Sequence, residues 1–160
     1  MATPRQKDYE EFVEEMGIMM EHTGIPRMAG KIFGYLLLSH EPEISTDELV
    51  ERLHASRGSI STMTRLLIQQ GLIDRVGRAR ERRDYFRVKP DPWSRILKAR
   101  MGQIIEFHNL IERGLEILSP KEALAYNRLR EMHEYYEFME AEFTAMLERW
   151  EHGQKQASRK

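Results

Sequence analysis

Ser45-Thr46-Asp47-Glu48-Leu49-Val50-Glu51-Arg52-Leu53-His54-Ala55-Ser56-Arg57-Gly58-Ser59-Ile60-Ser61-Thr62-Met63-Thr64-Arg65-Leu66-Leu67-Ile68-Gln69-Gln70-Gly71 is the stretch that decides the fold. It opens on a capping box, with Ser45 at the cap and Glu48 three positions on, so a helix starts there. Leu49, Val50 and Leu53 give this short helix an apolar face. A turn at His54-Ala55 follows, and Ser56 caps a second helix that runs to Gln70. Gly71 supplies the left-handed stop. Ile60, Met63 and Leu67 share one face of the second helix, while Arg57, Ser61, Thr62 and Arg65 lie mainly on the opposite one. Two short helices around a tight turn, the second polar on its outer face, make a helix-turn-helix.

The next residues extend that motif. Leu72–Val76 and Tyr85–Val88 read as strands, and the loop between them, Gly77–Asp84, carries Arg78, Arg80, Arg82 and Arg83. A helix-turn-helix followed by a hairpin with so basic a tip predicts a winged helix-turn-helix. The chemistry suits double-stranded DNA. A helix fits the major groove, short Ser and Thr side chains let it approach closely, and Arg pairs bidentately with guanine or clamps a phosphate. The residues expected to reach DNA are Ser56, Arg57, Ser59, Ser61, Thr62 and Arg65 on a recognition helix over 56–70, with Arg78, Arg80, Arg82 and Arg83 on a wing over 77–84.

Charge agrees with this reading once it is mapped. The net charge is −1, yet from Arg52 to Arg100 there are 13 Lys/Arg against 4 Asp/Glu, an excess of nine positive charges. The remainder holds 12 basic and 22 acidic residues, an excess of ten negative charges. A basic middle between acidic ends directs one face of the molecule to a polyanion.

Outward from the winged module the pattern is helical. Tyr9, Phe12, Val13, Met16, Met19 and Met20 mark an amphipathic helix over 9–22, which Gly24 ends. Pro26 opens a second, with Ile25, Met28, Ala29, Ile32, Phe33, Leu36 and Leu37 at the same spacing, to about Ser39. Beyond the wing, Asp91-Pro92 starts a long helix whose Leu97, Met101, Ile104, His108, Ile111, Leu115 and Leu118 alternate steps of four and three. Ser119-Pro120-Lys121-Glu122 breaks it and caps another, with Ala125, Leu129, Met132, Tyr136, Met139, Phe143, Met146 and Trp150 in the same stepping. The first of these spans about 40 Å at 1.5 Å per residue, and heptad-like seams of that length ask for partner helices. The expectation is a homodimer held by Leu97, Met101, Ile104, Ile111, Leu115, Leu129, Met132, Tyr136, Met139, Phe143 and Met146. The fold class is then mainly α with a small β-hairpin wing. Residues 25–90 form the winged helix-turn-helix, 9–24 and 91–152 form the dimerisation region, and 1–8 and 153–160 are flexible tails.

Other classes find little support. Cysteine is absent, which removes disulfides, thiolate metal sites, cysteine nucleophiles and thiol redox sensing. No run approaches the roughly 18 apolar residues of a membrane span, and Met1–Asp8 lacks an apolar signal core, so a cytoplasmic protein without membrane contact is expected. There is no Gly-rich phosphate loop, and no nucleophile has a base and an orienting partner in the pattern, so neither an enzyme nor a cofactor is expected. His108 with Glu112 and His133 with Glu137 stand at i, i+4, the spacing of a shared metal, but such pairs are more often surface pairs, and no metal is expected.

Ser45–Val88, with Ala55–Ser61, Gln70-Gly71-Leu72-Ile73 and Glu81–Phe86 as its markers, resembles the MarR family of bacterial transcriptional regulators. Within that family it most resembles the glycine-betaine-synthesis-repressor (GbsR-like) branch, and the leader Phe12–Gly34, containing Gly24-Ile25-Pro26-Arg27-Met28-Ala29-Gly30, resembles that branch too. The resemblance implies a cytoplasmic dimeric regulator, usually a repressor, often modulated by a small molecule. MarR-type wings often carry an Asp-x-Arg element. Glu81-Arg82-Arg83 stands in its place here, which makes Arg83 the counterpart of that arginine. Some relatives in the branch respond to choline-like compounds, which need an aromatic cage. Trp93, Tyr35 and Phe33, with Met16, Met19 and Met20, are the nearby candidates, but apolar residues at helical spacing are more often core, and no ligand residue is assigned.

The leading reading is thus a sequence-specific regulator that binds a pseudo-palindromic operator as a dimer, with a small-molecule effector weakening operator binding. One alternative is a constitutive architectural DNA binder. The other is a protein-interaction module that uses the coiled helices and keeps a vestigial winged domain.

Overall fold

Ser45 and Ser56 cap their helices as the sequence requires. In the computed structural model Ser45 Oγ accepts from the Glu48 N–H at 3.2 Å and Ser56 Oγ from the Ser59 N–H at 3.1 Å. The structure describes residues 4–78, 83–119 and 122–157. The elements run α1 (Pro4–His22), α2 (Arg27–Leu38), β1 (Ile44–Ser45), α3 (Thr46–Arg52), α4 (Arg57–Gln69), β2 (Ile73–Gly77), β3 (Asp84–Val88), α5 (Pro92–Ile117) and α6 (Ala123–Ala157). Gly24 and Gly71, at φ 85° and 74°, supply the left-handed residues that stop α1 and α4. The chain divides into two compact units, Met1–Pro92 and Trp93–Lys160.

Two features differ from the expectation. The wing hairpin belongs to a three-stranded antiparallel sheet in the order β1-β3-β2, with Ile44 opposite Phe86 and Ser45 opposite Tyr85. β1 escapes a sequence reading because two residues carry no period, and its pairing partner lies some forty positions away. The helices also run into both stretches expected to be tails, α1 back to Pro4 and α6 on to Ala157. Pro4 sits where a first turn tolerates proline, and the residues after it are good helix formers.

The first unit has a closed core. Ile32 of α2, Ile44 of β1, Leu49 of α3, Ile60 and Leu67 of α4 and Ile73 of β2 are fully buried, and Phe86 of β3 nearly so, so each of these elements contributes to the core. α1 lies on α2 at close range. A Cβ on Gly30 would stand 2.8 Å from both Gly17 Cα and the Met16 carbonyl oxygen, which means that two glycines meet where the helices touch. Glu14 of α1 fixes that contact from outside, at 2.5 Å from Lys31 Nζ and 3.1 Å from Arg27 of α2.

The second unit is a helical hairpin. Gly114 faces Leu129, His108 reaches Glu140, Met101 Sδ accepts from Thr144 at 3.8 Å, and the Trp150 indole N–H donates to Ser94 at 2.9 Å. Contacts early in α5 thus fall late in α6, so the helices are antiparallel.

Candidate nucleic-acid interface

The polarity of α4 places the site. Ile60, Thr64 and Leu67 are buried, and Thr64 donates its hydroxyl to the Ile60 carbonyl at 2.8 Å, which removes the one polar group of the inner face from contention. Arg57, Ser61, Thr62 and Arg65 are exposed, as is the cap Ser56, while Ser59 is half-buried. Arg57, Ser61, Arg65 and the wing's Arg83 line one groove of about 290 Å³ between α4 and the sheet, with Thr46 and Asp84 on its walls. The recognition helix and the wing therefore meet in a single cationic groove.

Asp47 organises two of these cations. It pairs with Arg57, and its other oxygen lies 3.4 Å from Arg83 Nε. Both arginines remain well exposed, and an exposed ion pair is worth only about 0–1 kcal/mol, so a phosphate displaces the carboxylate at little cost. Asp47 thus holds an arginine from the helix and one from the wing at a common point before any polyanion arrives.

Arg78 has a different employment. Its guanidinium reaches Glu43 at 3.0 and 3.1 Å and stacks 3.9 Å above the Tyr85 ring. It is clamped at the foot of the wing, between Glu43 just before β1 and Tyr85 near the start of β3. Arg80 and Arg82 lie outside the described residues. The sequence reading missed Arg75, which lines the same groove and lies 3.6 Å from Asp84. The available signal was its place in β2, one residue from Val76 and two from the buried Ile73.

A larger concavity, about 810 Å³, opens on another side of the first unit, lined by residues that include Tyr9, Val13, Lys31, Tyr35, Leu38 and Arg52. The Tyr35 hydroxyl donates to Glu48 at 2.8 Å, and burial, reinforced by that carboxylate, pushes its pKa up to about 12. Tyr35 therefore stays a neutral donor throughout the physiological range. Phe33, weighed above as part of an aromatic cage, is packed into the core instead.

The residues expected to join subunits lie in the second unit. Ile111 is buried; Leu97, Met101, Ile104, Leu115, Leu129, Tyr136, Met139 and Phe143 are half-buried; Met132 and Met146 are exposed. The hairpin uses part of this seam internally, as Leu129 against Gly114 shows. A second apolar set, not anticipated, is open to solvent: Phe107 at 51%, Leu110 at 54% and Ile117 at 82% on α5, and Leu124 at 68%, Tyr135 at 55% and Phe138 at 61% on α6. Phe107, Leu110 and Ile117 are three and seven residues apart, which puts them on one helical face.

Comparison with known proteins agrees with this architecture. Residues 23–84 match the MarR family, and residues 91–153 match the MmpR5-like MarR family transcriptional regulators. The chain is 38% identical over 135 residues to the HTH-type transcriptional regulator MmpR5 of Mycobacterium tuberculosis, covering 84% of this chain and 82% of that protein. It belongs to the MarR family of transcriptional regulators. A crystal structure of a transcriptional regulator, 36% identical, superimposes with a TM-score of 0.75 over 91% of this chain and 99% of that one. The MarR match covers α2 through β2 and ends at the first residue of β3, so it contains α4 and most of the residues that line the cationic groove. Among the described residues no helix is long and apolar enough to cross a membrane.

Proposed function

We propose that this MarR-family regulator acts as a dimeric repressor in the cytoplasm, binding a pseudo-palindromic operator through residues 56–70 and the wing over 77–84. The observation that carries the proposal is the groove where Arg57 and Arg65 of α4 meet Arg83 of the wing. Ser61 and Thr62 face outward at the same level and read base edges, while the arginines clamp phosphate or guanine. The open apolar stripes of α5 and α6 support dimerisation, because a second copy covers them and a two-fold dimer presents two recognition helices. Half-sites about one helical turn apart follow from that symmetry.

Release by a small molecule is the finer part of the proposal. The 810 Å³ concavity, with its neutral Tyr35 hydroxyl beside Glu48, supports an effector there. Such a ligand shifts operator binding only by its difference in affinity between the DNA-competent state and the other. Placement in the GbsR-like branch rests on the resemblance of the winged module and of the leader Phe12–Gly34, whereas the match over 91–153 favours the MmpR5-like group.

The test is selection from random duplexes, followed by anisotropy titrations of the recovered operator at two salt concentrations. Arg57→Ala and Arg65→Ala are each expected to weaken binding about tenfold to a hundredfold, in line with about 1–3 kcal/mol per lost contact. For each phosphate contact removed, the salt slope falls by about one. Arg78→Ala, committed to Glu43 and Tyr85, is expected to cost less. Undiminished affinity in the Arg57→Ala, Arg65→Ala double variant would reject this interface.

A further inference from the structure

Within the α5–α6 hairpin one buried group is left unexplained by the packing. His108, on the inner face of α5, has its Nδ1 2.7 Å from Glu140 Oε2 of α6, and its side chain is only 14% exposed. Its Nε2 is buried and has no hydrogen-bond partner among the described residues. A buried polar atom without a partner is unfavourable, so its presence in the hairpin calls for an explanation.

The surroundings of that nitrogen are not apolar. The ring of His133, from α6, lies 4.7 Å from the His108 ring, centroid to centroid. His133 Nε2 stands 3.7 Å from Glu112 Oε1, too far for a hydrogen bond. One donor atom from each of His108, Glu112 and His133 lies within 4.8 Å of the others. The helical pairs that the sequence offered, His108 with Glu112 and His133 with Glu137, are thus regrouped by the hairpin. Each helix contributes a histidine, and α5 adds the carboxylate.

We propose that His108, Glu112 and His133 form a divalent transition-metal site, best matched to Zn²⁺, with Glu140 as the residue that positions His108. Three observations support it. Glu140 accepts the proton on Nδ1, which fixes the tautomer and leaves a bare lone pair on the buried Nε2; ligating histidines are commonly oriented by a carboxylate in this way. Two imidazoles and a carboxylate are a donor set that zinc accepts, with the fourth position left to water. The reach is short: metal–donor bonds of about 2.0–2.2 Å set donor–donor edges of roughly 3.3 Å, so the cluster closes by about 1.5 Å. Glu112 and His133, with side chains 52% and 27% exposed, have room to make that movement, while His108 stays fixed. The ion would tie α5 to α6 beside the buried Ile111, in a hairpin that otherwise has few buried apolar side chains among its described residues, and so stiffen it. The proposal is independent of operator binding.

The experiment uses the full chain, stripped with chelator, and calorimetric titration with Zn²⁺ alone. One Zn²⁺ per chain is expected, with a melting temperature raised by about 5 °C or more at a hundredfold excess over Kd. His133→Gln and Glu112→Gln, both at partly exposed positions, should weaken binding at least a hundredfold while retaining the helical circular dichroism of the parent. Glu140→Gln should weaken it about tenfold to a hundredfold through the orientation of His108. Cobalt(II) substitution gives a second readout, a tetrahedral visible band that His133→Gln abolishes. Absence of binding at 100 µM Zn²⁺, on the order of a hundred times a micromolar Kd, overturns the proposal. So does one-per-chain binding that survives both His133→Gln and Glu112→Gln, since the ion then sits elsewhere.

Discussion

The two units of this chain solve the burial problem in opposite ways. Among the described residues, thirteen buried apolar side chains belong to the first unit, from Val13 to Phe86, and only Ile111 to the second. The first unit closes three layers of contact, α1 on α2, α2 on α4 and the sheet against both, around Ile32, Leu49, Ile60 and Leu67. The second has 61 residues of helix in two elements, yet Phe107, Leu110, Ile117, Leu124, Tyr135 and Phe138 face water. Single exposed apolar residues are ordinary, but a repeated stripe on both helices of one hairpin is the mark of an association surface. The winged module is thus closed in one copy, whereas the hairpin leaves apolar stripes open that the proposed dimer would cover. Under the proposed dimer the division has a use, because the module that would read DNA does not depend on the interface that would join two copies.

The strongest way to break this comparison is to spoil the hairpin and watch the winged module. Leu110→Glu with Phe138→Glu puts two charges on the open stripes and leaves the sequence of the first unit unchanged. Sedimentation should show monomer where the parent sediments as a dimer. Operator affinity should fall by about a hundredfold or more, because two linked contacts become one, while affinity for a single half-site stays unchanged. A variant that remains dimeric, or a monomer that holds the full operator as tightly as the parent, would show that the stripes serve another purpose.

A smaller effect sharpens the other side of the comparison. Gly30→Ala places a methyl group 2.8 Å from the backbone of α1, at a point where no flexible side chain can give way. We expect a net loss of about 1–3 kcal/mol, despite the roughly 1 kcal/mol that alanine gains over glycine in a helix, measured by urea unfolding. Because the defect lies within one copy, the loss should be the same at every protein concentration. Its size shows what was and was not legible in the sequence. The caps at Ser45 and Ser56, the stop at Gly71, the polar face of α4 and the basic wing were all readable, because each depends on residues within a few positions of one another. The glycine contact between α1 and α2, the strand β1 and the Asp47 link from Arg57 to Arg83 were not, because each joins elements whose mutual register no local pattern carries. The same limit explains the hairpin. Stepping by three and four marked a seam on each helix, but the pairing of His133 with Glu112 and of His108 with Glu140 depends on how far one helix is slid along the other.

The smallest effect concerns the outer edge of that α1–α2 contact, and it carries a pH signature. Glu14 has its pKa held below the usual carboxylate value chiefly by the hydrogen bond from Lys31, with attraction to Lys31 and Arg27 adding to it and partial burial opposing it. A carboxylate whose folded pKa is depressed adds stability above its unfolded pKa and loses it as pH falls through the folded value. Glu14→Gln should therefore destabilise the protein at pH 7, by less than about 1 kcal/mol since the pair is half-exposed. The difference between parent and variant should shrink as the pH drops below 4.5, the ordinary value for this group, and vanish once Glu14 is protonated in both states. Parallel urea titrations from pH 7 to pH 3 measure it. A difference that persists undiminished at pH 3 would mean that Glu14 acts through packing against α2 rather than through its charge. The closeness of the two helices would then rest on the small residues at their contact, Gly17, Gly30 and Gly34.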